Sequence, residues 1–243
     1  MTSPIAPDPL RLSFIVPAHD EAPRLPATLA SLHAAARACG VDYEIVVVDD
    51  ASTDATAAVA AANGARVLRV KHRHIAATRN AGAAAATGAR LVFVDADTRV
   101  PAATLAAALA ALAGGAVGGG ARLRLDGPLR WDHRIAVAFG VGLVRLARIA
   151  AGCFIFCTRE AFDATGGFDE RWYAGEDVAM SRSLASAGRF VLLREPGWTS
   201  ARKLHTFSIG EHARLILRVA LRGRGVLRSR EHLALWYERR EKR

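Results

Sequence analysis

Tyr43-Glu44-Ile45-Val46-Val47-Val48-Asp49-Asp50 is the stretch that decides the fold: a short β-branched run that stops on two carboxylates. A run of this length, apolar throughout and closed by charge, reads as a buried strand whose end meets solvent or a ligand. Residues 12–18, 65–70 and 89–94 repeat the pattern, the first ending at Pro17-Ala18. Helical periodicity fills the gaps. Leu25, Leu29, Leu32 and Ala36 recur at spacings of four, three and four, and alanine-rich helices fit residues 54–62 and 75–86. Ser52-Thr53-Asp54 offers N-cap side chains, and Gly64 and Gly88 suit C-terminal stops. Strands alternating with helices predict successive βαβ units, hence an α/β domain with a mostly parallel central sheet flanked by helices.

In an open parallel sheet, ligands sit at the carboxyl ends of the strands. The polar residues obey that rule: His19, Asp20 and Glu21 follow the first strand, Asp49 and Asp50 close the second, and Asp95 and Asp97 close the fourth. The third is followed by the basic loop Lys71-His72-Arg73-His74. Further along, the pattern predicts a helix to about residue 113, a glycine-rich stretch to Gly120, a strand over 121–125 and a helix over 131–150. A strand over 154–157, a helix over 159–164, a turn at Gly166-Gly167 and a helix over 176–187 complete it.

With 243 residues, 51% of them apolar, the chain can bury a large core, which excludes a disordered or collagen-like class. No secretory signal pattern opens the sequence, and no uncharged apolar run reaches 18 residues; residues 135–157 come nearest but contain Arg145 and Arg148. The expectation is a cytoplasmic protein without a membrane span. Cys39, Cys153 and Cys157 are too few and too scattered for a disulfide framework or a zinc site, and read as reduced core residues. The net charge of +10 is concentrated at one end: after Ser200, 12 Lys and Arg face 4 Asp and Glu, leaving 21 against 19 before it. A basic tail of this kind attracts polyanions, among them nucleic acid, anionic lipid and phosphorylated substrates.

Asp95-Ala96-Asp97 carries the most chemistry. Alternate residues of a strand share a face, so two aspartates two apart can approach one divalent cation. Oxygen ligands suit Mn²⁺ or Mg²⁺, which would neutralise a departing diphosphate. By itself the pair fits a turn equally well. It stands, however, in an ordered set: Phe14-Ile-Val-Pro-Ala-His-Asp-Glu21, Glu44-Ile-Val-Val-Val-Asp-Asp-Ala-Ser-Thr-Asp54, Arg79-Asn-Ala-Gly82, Asp95-Ala-Asp97, Gly166-Gly-Phe-Asp169 and Glu176-Asp177.

That set resembles the family 2 glycosyltransferases of GT-A fold, over about residues 12–193. The resemblance implies an inverting enzyme that moves a sugar from a nucleotide-diphosphate-sugar donor, commonly a UDP-sugar, to an acceptor hydroxyl on a glycan, a lipid-linked molecule or a small molecule. It implies that Pro17, Ala18 and Glu21 line the nucleoside pocket and that Asp50 contacts the base. Arg79 would lie near base or phosphates, and Asp95, Ala96 and Asp97 would serve ribose and metal. Asp177 would be the general base, with Glu176 positioning the acceptor or supporting the base. The bland alternative for that pair is an acidic first turn favoured by the helix dipole. The chain departs from the family pattern at His19-Asp20 and at Ile75, which bears on donor choice.

Arg202 and Lys203 are candidates for the diphosphate and His205 for a further metal ligand, though an isolated histidine is more often neither. Arg214, Arg218 and Arg222 form one ridge of an amphipathic helix over 211–222 whose apolar face packs on the domain or lies on an anionic membrane, packing being the commoner outcome. The division expected is a flexible 1–10, a domain over 11–200 with its nucleotide-binding half at 11–100 and its acceptor half at 101–200, and a basic helical extension over 201–243. Trp131, Trp172 and Tyr173 are candidates to stack on an acceptor sugar, and Gly118 to Gly120 to allow close backbone approach near the donor. A nucleotidyltransferase would want a basic glycine-rich loop after the first strand, where this chain has Pro17-Ala-His-Asp-Glu21. A nucleic-acid-binding protein would want an aromatic-interleaved or helix-turn-helix pattern for its basic residues, and none is present, so no specific nucleic acid is expected as partner.

Overall fold

The computed structural model describes residues 8–126 and 152–200. Residues 202, 203 and 205, the helices expected over 131–150 and 211–222, and Trp131 lie outside them. In chain order the elements are β1 (Asp8–Ala18), α1 (Leu25–Cys39), β2 (Tyr43–Asp50), α2 (Thr56–Ala62), β3 (Arg66–Val70), α3 (Ile75–Ala85) and β4 (Gly88–Val94). There follow β5 (Thr98–Arg99), α4 (Ala102–Ala113), β6 (Gly118–Asp126), β7 (Phe154–Thr158), α5 (Arg159–Ala164), α6 (Glu176–Ala187) and β8 (Phe190–Ser200). Strand β1 begins at Asp8, inside the segment expected to be flexible.

Among the described residues the strands form one sheet in the order β3-β2-β1-β4-β7-β6-β8-β5. The first four are mutually parallel, β7 runs against its neighbours β4 and β6, β8 is parallel to β6, and β5 is antiparallel to β8. Parity along β1 divides the core. Leu12, Phe14 and Val16 pack with Leu25, Leu29 and Leu32 of α1 and Leu105 of α4. Ile15 joins Val46, Val48 and Phe93 against Ala76 and Ala83 of α3 and Met180 and Leu184 of α6. Each such leucine contributes about 1.5–3 kcal/mol by burial, so the two-sided sheet is a stiff platform for its upper edge.

Glycines set the closest approaches. A Cβ at Gly82 would collide with Ile15 and stand 2.8 Å from Val48 Cγ2, so α3 lies tight on β1 and β2 because this residue has no side chain. Gly118 to Gly120, expected to allow close backbone approach near the donor, are part of strand β6. A Cβ at Gly118 would stand 2.8 Å from the Phe156 carbonyl, and one at Gly119 would meet the Val191 carbonyl and the Phe156 ring, so these glycines serve strand packing. Gly88 opens β4 rather than ending α3. The α3 terminus is closed by Arg159, which donates from Nε to the Gly88 carbonyl (2.9 Å), from Nη1 to Ala83 (3.2 Å) and from Nη2 to Ala86 (2.9 Å). Cys153 and Cys157 are buried free thiols, while Cys39 is half-buried. No helix among the described residues is long and apolar enough to cross a membrane.

Candidate active site

Strand β1 lies between β2 and β4, so the chain reverses its direction of travel across the sheet at the β1–β4 boundary. The β1–β4 pairing runs to Ile15↔Phe93, whereas β1–β2 continues to Ala18↔Asp49. The two strands therefore part just below Pro17, and the loops after them, Ala18 to Glu21 and Asp95 to Asp97, border the resulting crevice. Pro17 and Ala18 are buried at this edge, and Glu21 is half-buried, its N–H donating to Thr56 Oγ1 at 2.9 Å.

The acids at the β1 and β2 ends chiefly shape loops. Asp20 has φ of 53° and accepts at Oδ1 from the Thr53 N–H (2.6 Å), the Thr53 hydroxyl (3.1 Å) and the Asp54 N–H (3.2 Å). Burial pushes its carboxyl up, but these hydrogen bonds and His19 outweigh it and hold it below its ordinary value. The N–H groups of Thr53 and Asp54 thus turn towards Asp20; the N-cap residue of α2 is Ala55, and of Ser52-Thr53-Asp54 it is Asp54 that serves the helix start, its Oδ1 accepting the Thr56 N–H at 2.9 Å. Asp50 accepts at Oδ1 from the Arg73 N–H (2.8 Å) and at Oδ2 from the His74 N–H (3.1 Å) and the Thr78 hydroxyl (2.8 Å). Asp50, expected to contact the base, anchors the basic loop between β3 and α3.

Arg79 has partners distant in the chain. Expected near base or phosphates, its side chain is 3% exposed and takes protein partners on both terminal nitrogens. Nη1 donates to Glu176 Oε1 at 2.7 Å, and Nη2 donates to Asp95 Oδ1 at 2.9 Å and to the Gly152 carbonyl at 3.1 Å. The guanidinium carbon lies 5.1 Å from the centroid of the Phe168 ring. Burial works against the charge, yet Asp95, Glu176 and Asp177 together hold the group protonated, well above its ordinary value.

Asp95-Ala96-Asp97 is a β-turn rather than a strand end, closed by the Thr98 N–H on the Asp95 carbonyl at 3.0 Å. Alternation persists nonetheless: Asp95 and Asp97 are half-buried and Ala96 between them is buried. The Ala96 carbonyl accepts from Thr28 Oγ1 at 2.8 Å, and Thr199 Oγ1 donates to Asp97 Oδ1 at 3.2 Å, so helix α1 and strand β8 both fix the turn.

At the start of α6, Glu176 is buried on Arg79 and Asp177 is half-buried. Asp177 accepts the Gly152 N–H at Oδ2 and the Val178 N–H at Oδ1, both at 2.8 Å. Burial pushes this carboxyl up and the Glu176 charge pushes it the same way; Arg79 and the two N–H groups pull back, leaving it at about 6. A carboxylate poised there is suited to general-base work near neutrality. The Gly152 peptide is gripped on both sides, its N–H by Asp177 and its carbonyl by Arg79.

Trp172 donates from Nε1 to Asp169 Oδ2 at 3.0 Å, and Tyr173 stands edge-on to the His74 ring with centroids 4.4 Å apart. Asn80 lay inside a quoted motif and His74 in the basic loop, neither with a role of its own; Gly152 and Thr199 were not singled out, since each matters through a residue distant in the chain.

Among the described residues no three His, Cys, Asp or Glu side chains form a metal-ligand set. Asp95 and Asp97 do present two hard oxygen donors from one half-buried turn, and Arg79 faces three carboxylates, an excess of negative charge a divalent cation would relieve. Such an ion would complete its shell with diphosphate and water oxygens.

Several solved structures share this architecture at low identity. A mannosyltransferase from Pyrobaculum calidifontis, in complex with GDP-Man and Mn²⁺, superposes with a TM-score of 0.66 at 24% identity, covering 92% of this chain and 65% of that one. Glucosyl-3-phosphoglycerate synthase from Mycobacterium tuberculosis, in complex with Mn²⁺ and UDP-glucose, gives 0.60 at 18% identity, covering 87% and 78%. These likenesses establish the GT-A fold. In sequence, a dolichyl-phosphate beta-glucosyltransferase of Drosophila melanogaster is 38% identical across 36% of this chain, which spans under a third (31%) of that relative's length. The model of Glycosyl transferase family 2 matches residues 13–167, well over half of the chain and every element that borders the crevice as far as Gly167, and the chain belongs to that family.

Proposed function

We propose that the protein transfers a sugar from a nucleotide-diphosphate-sugar, a UDP-sugar being the first candidate, to an acceptor hydroxyl with inversion at the anomeric carbon, in the presence of Mn²⁺ or Mg²⁺. The observation that carries this is the Arg79 network, which joins a raised-pKa carboxylate, Asp177, in one cluster with the Asp95–Asp97 turn. Asp95 and Asp97 would hold the ion, which when bound supplies positive charge to the leaving diphosphate. Asp177 accepts the acceptor's hydroxyl proton as that oxygen forms its bond to the anomeric carbon. The bond from that carbon to the diphosphate oxygen breaks with its electron pair, and the nucleoside diphosphate departs. Pro17, Ala18 and Glu21 border the nucleoside side of the crevice.

The test is a thermal-shift panel of nucleotide-sugars with and without Mn²⁺, followed by nucleoside diphosphate release from whichever donor stabilises the protein. No Mn²⁺-dependent stabilisation by any donor sinks the reading. The panel must include guanosine donors, because one fold neighbour holds GDP-Man and another UDP-glucose.

A second reading for the acceptor, a lipid-linked phosphate, is supported by the name of the Drosophila relative. A phosphate oxygen is largely ionised at neutral pH and needs no base. Asp177→Asn therefore discriminates: it cripples transfer to a hydroxyl and largely spares transfer to a phosphate. The basic tail, Arg202 and Lys203 included, fits a protein that works on the inner face of a membrane; absence of co-flotation with anionic liposomes argues against it.

A further inference from the structure

Transfer chemistry accounts for Asp95, Asp97 and Asp177 but not for the two adjacent polar residues of α3, Arg79 and Asn80. Both are fixed to segments on the acceptor side. Asn80 donates from Nδ2 to the Phe168 carbonyl (2.9 Å) and to Glu170 Oε1 (2.9 Å), while its Oδ1 accepts the Phe168 N–H (2.9 Å). Gly167, at φ +73°, makes room for it, since a Cβ there would stand 2.8 Å from Asn80 Oδ1. Phe168, so held, packs edge-on against Phe93 of β4 at 4.9 Å and lies against the Arg79 guanidinium. Arg79 in turn joins the Asp95 turn, residue 152 and α6 through one planar group. Its fork geometry matches two carboxylates at once, which a lysine ammonium on a flexible stem does not reproduce.

We propose that Arg79 and Asn80 are positioning residues: a buried brace on α3 that sets how far Asp177 stands from the Asp95–Asp97 turn, with Glu176 as the brace's anchor and not a ligand of the acceptor. The proposal rests on the reading of Asp177 as the base. A brace of this kind affects the transfer step more than donor binding: Asn80 bonds only the Phe168–Glu170 segment, and Arg79, although it meets Asp95, is 3% exposed. A displacement of about 1 Å between reacting groups costs on the order of 100-fold in rate.

The experiment compares Glu176→Gln, Asn80→Asp and Arg79→Lys with Asp177→Asn in the full chain. Three quantities are read: the Kd of UDP and of GDP with Mn²⁺ by calorimetry, kcat and KM for nucleotide release from the donor the panel selects, and amide hydrogen exchange at Gly152 and Val178. Expected for the brace variants are a kcat lower by about 10- to 100-fold, with nucleotide Kd and donor KM within about threefold of wild type. Exchange at those two amides, both bonded to Asp177, should rise about tenfold while the β-sheet core stays protected. Glu176→Gln is the milder variant, since its amide oxygen still accepts from Arg79, and it serves if Arg79→Lys does not fold.

Loss of nucleotide affinity in step with kcat would mean that Arg79 meets the donor, and the proposal fails. It fails too if Glu176→Gln abolishes turnover as completely as Asp177→Asn with exchange at Gly152 and Val178 unchanged. A wild-type protein that neither binds nucleotide nor turns over would refute the glycosyltransfer reading; the exchange arm would still decide whether the brace exists.

Discussion

The acid limb of turnover should report Asp177, and Glu176→Gln should move it. The groups facing Asp177 are Glu176 on its own helix, Arg79 from α3, and the N–H groups of Gly152 and Val178. Their balance leaves the carboxyl raised to about 6, burial being the largest contribution and the Glu176 charge next. A base acts ionised, so kcat should rise with pH through about 6 and level off above about 7, with about a tenth of the plateau remaining at pH 5. Replacing Glu176 by glutamine removes the like charge and keeps the shape. Strongly coupled acids separate by about one pK unit or more, so the limb should fall to about pH 5. Relative to its own plateau, the variant at pH 5 then runs at about half instead of about a tenth, a fivefold gain, even though the plateau itself is lower. The assay is nucleoside diphosphate release across the range from about pH 4.5 to about 8.5 under saturating donor and Mn²⁺. A limb that stays put in Glu176→Gln refutes Asp177 as the titrating base. It would fit an acceptor phosphate instead, whose second ionisation near pH 6 does not sense residue 176.

Asp97→Ala should abolish the Mn²⁺ dependence of nucleotide binding while leaving the fold intact, since its side chain is half-buried; calorimetry that shows the same Mn²⁺ response refutes the assignment. Arg159→Met removes three hydrogen bonds to the end of α3, at a cost of about 2–4 kcal/mol. That corresponds to a melting temperature lower by about 5–15 °C, and a shift below 2 °C by differential scanning calorimetry, on the order of measurement scatter, would contradict it. Glu44 is half-buried, which raises its pKa, but the N–H and hydroxyl of Thr87, Ser13 and Arg66 outweigh this and hold it at about 2. Its folded pKa is depressed, so its contribution, roughly 3 kcal/mol, is present in full above its ordinary 4.5 and is lost as pH falls through about 2. Glu44→Gln should therefore flatten the acid-unfolding curve between those values, and an unchanged acid slope would refute this account.

The sheet was legible because its strands are short apolar runs closed by charge, and the site's edge because those charges stop the strands. Asp95 and Asp97 were visible as a pair from spacing alone, although the turn that presents them is not a strand end. The partners of Arg79 were hidden for a physical reason: a cation near an anionic ligand site looks like a ligand contact, and its protein partners lie 16, 73 and 97 residues away and reach it only when the sheet and α6 assemble. The Gly118 to Gly120 strand was hidden likewise, since glycine weakens local strand preference and only the approach of Phe156 and Val191 explains it. Asp50 shows the same limit, for a carboxylate at a strand end gives no sign whether a loop or a ligand will claim it.

Asp95 and Asp97 are two residues apart, yet they answer to different regions. Asp95 is steadied from α3, among the nucleotide-side elements, whereas Asp97 takes its hydrogen bond from Thr199, one residue short of the end of β8. Whatever tugs on the arginine-rich stretch that follows Ser200 begins pulling next to Asp97. If Asp97 holds the ion as proposed, occupancy of the tail would register as a change in cation affinity.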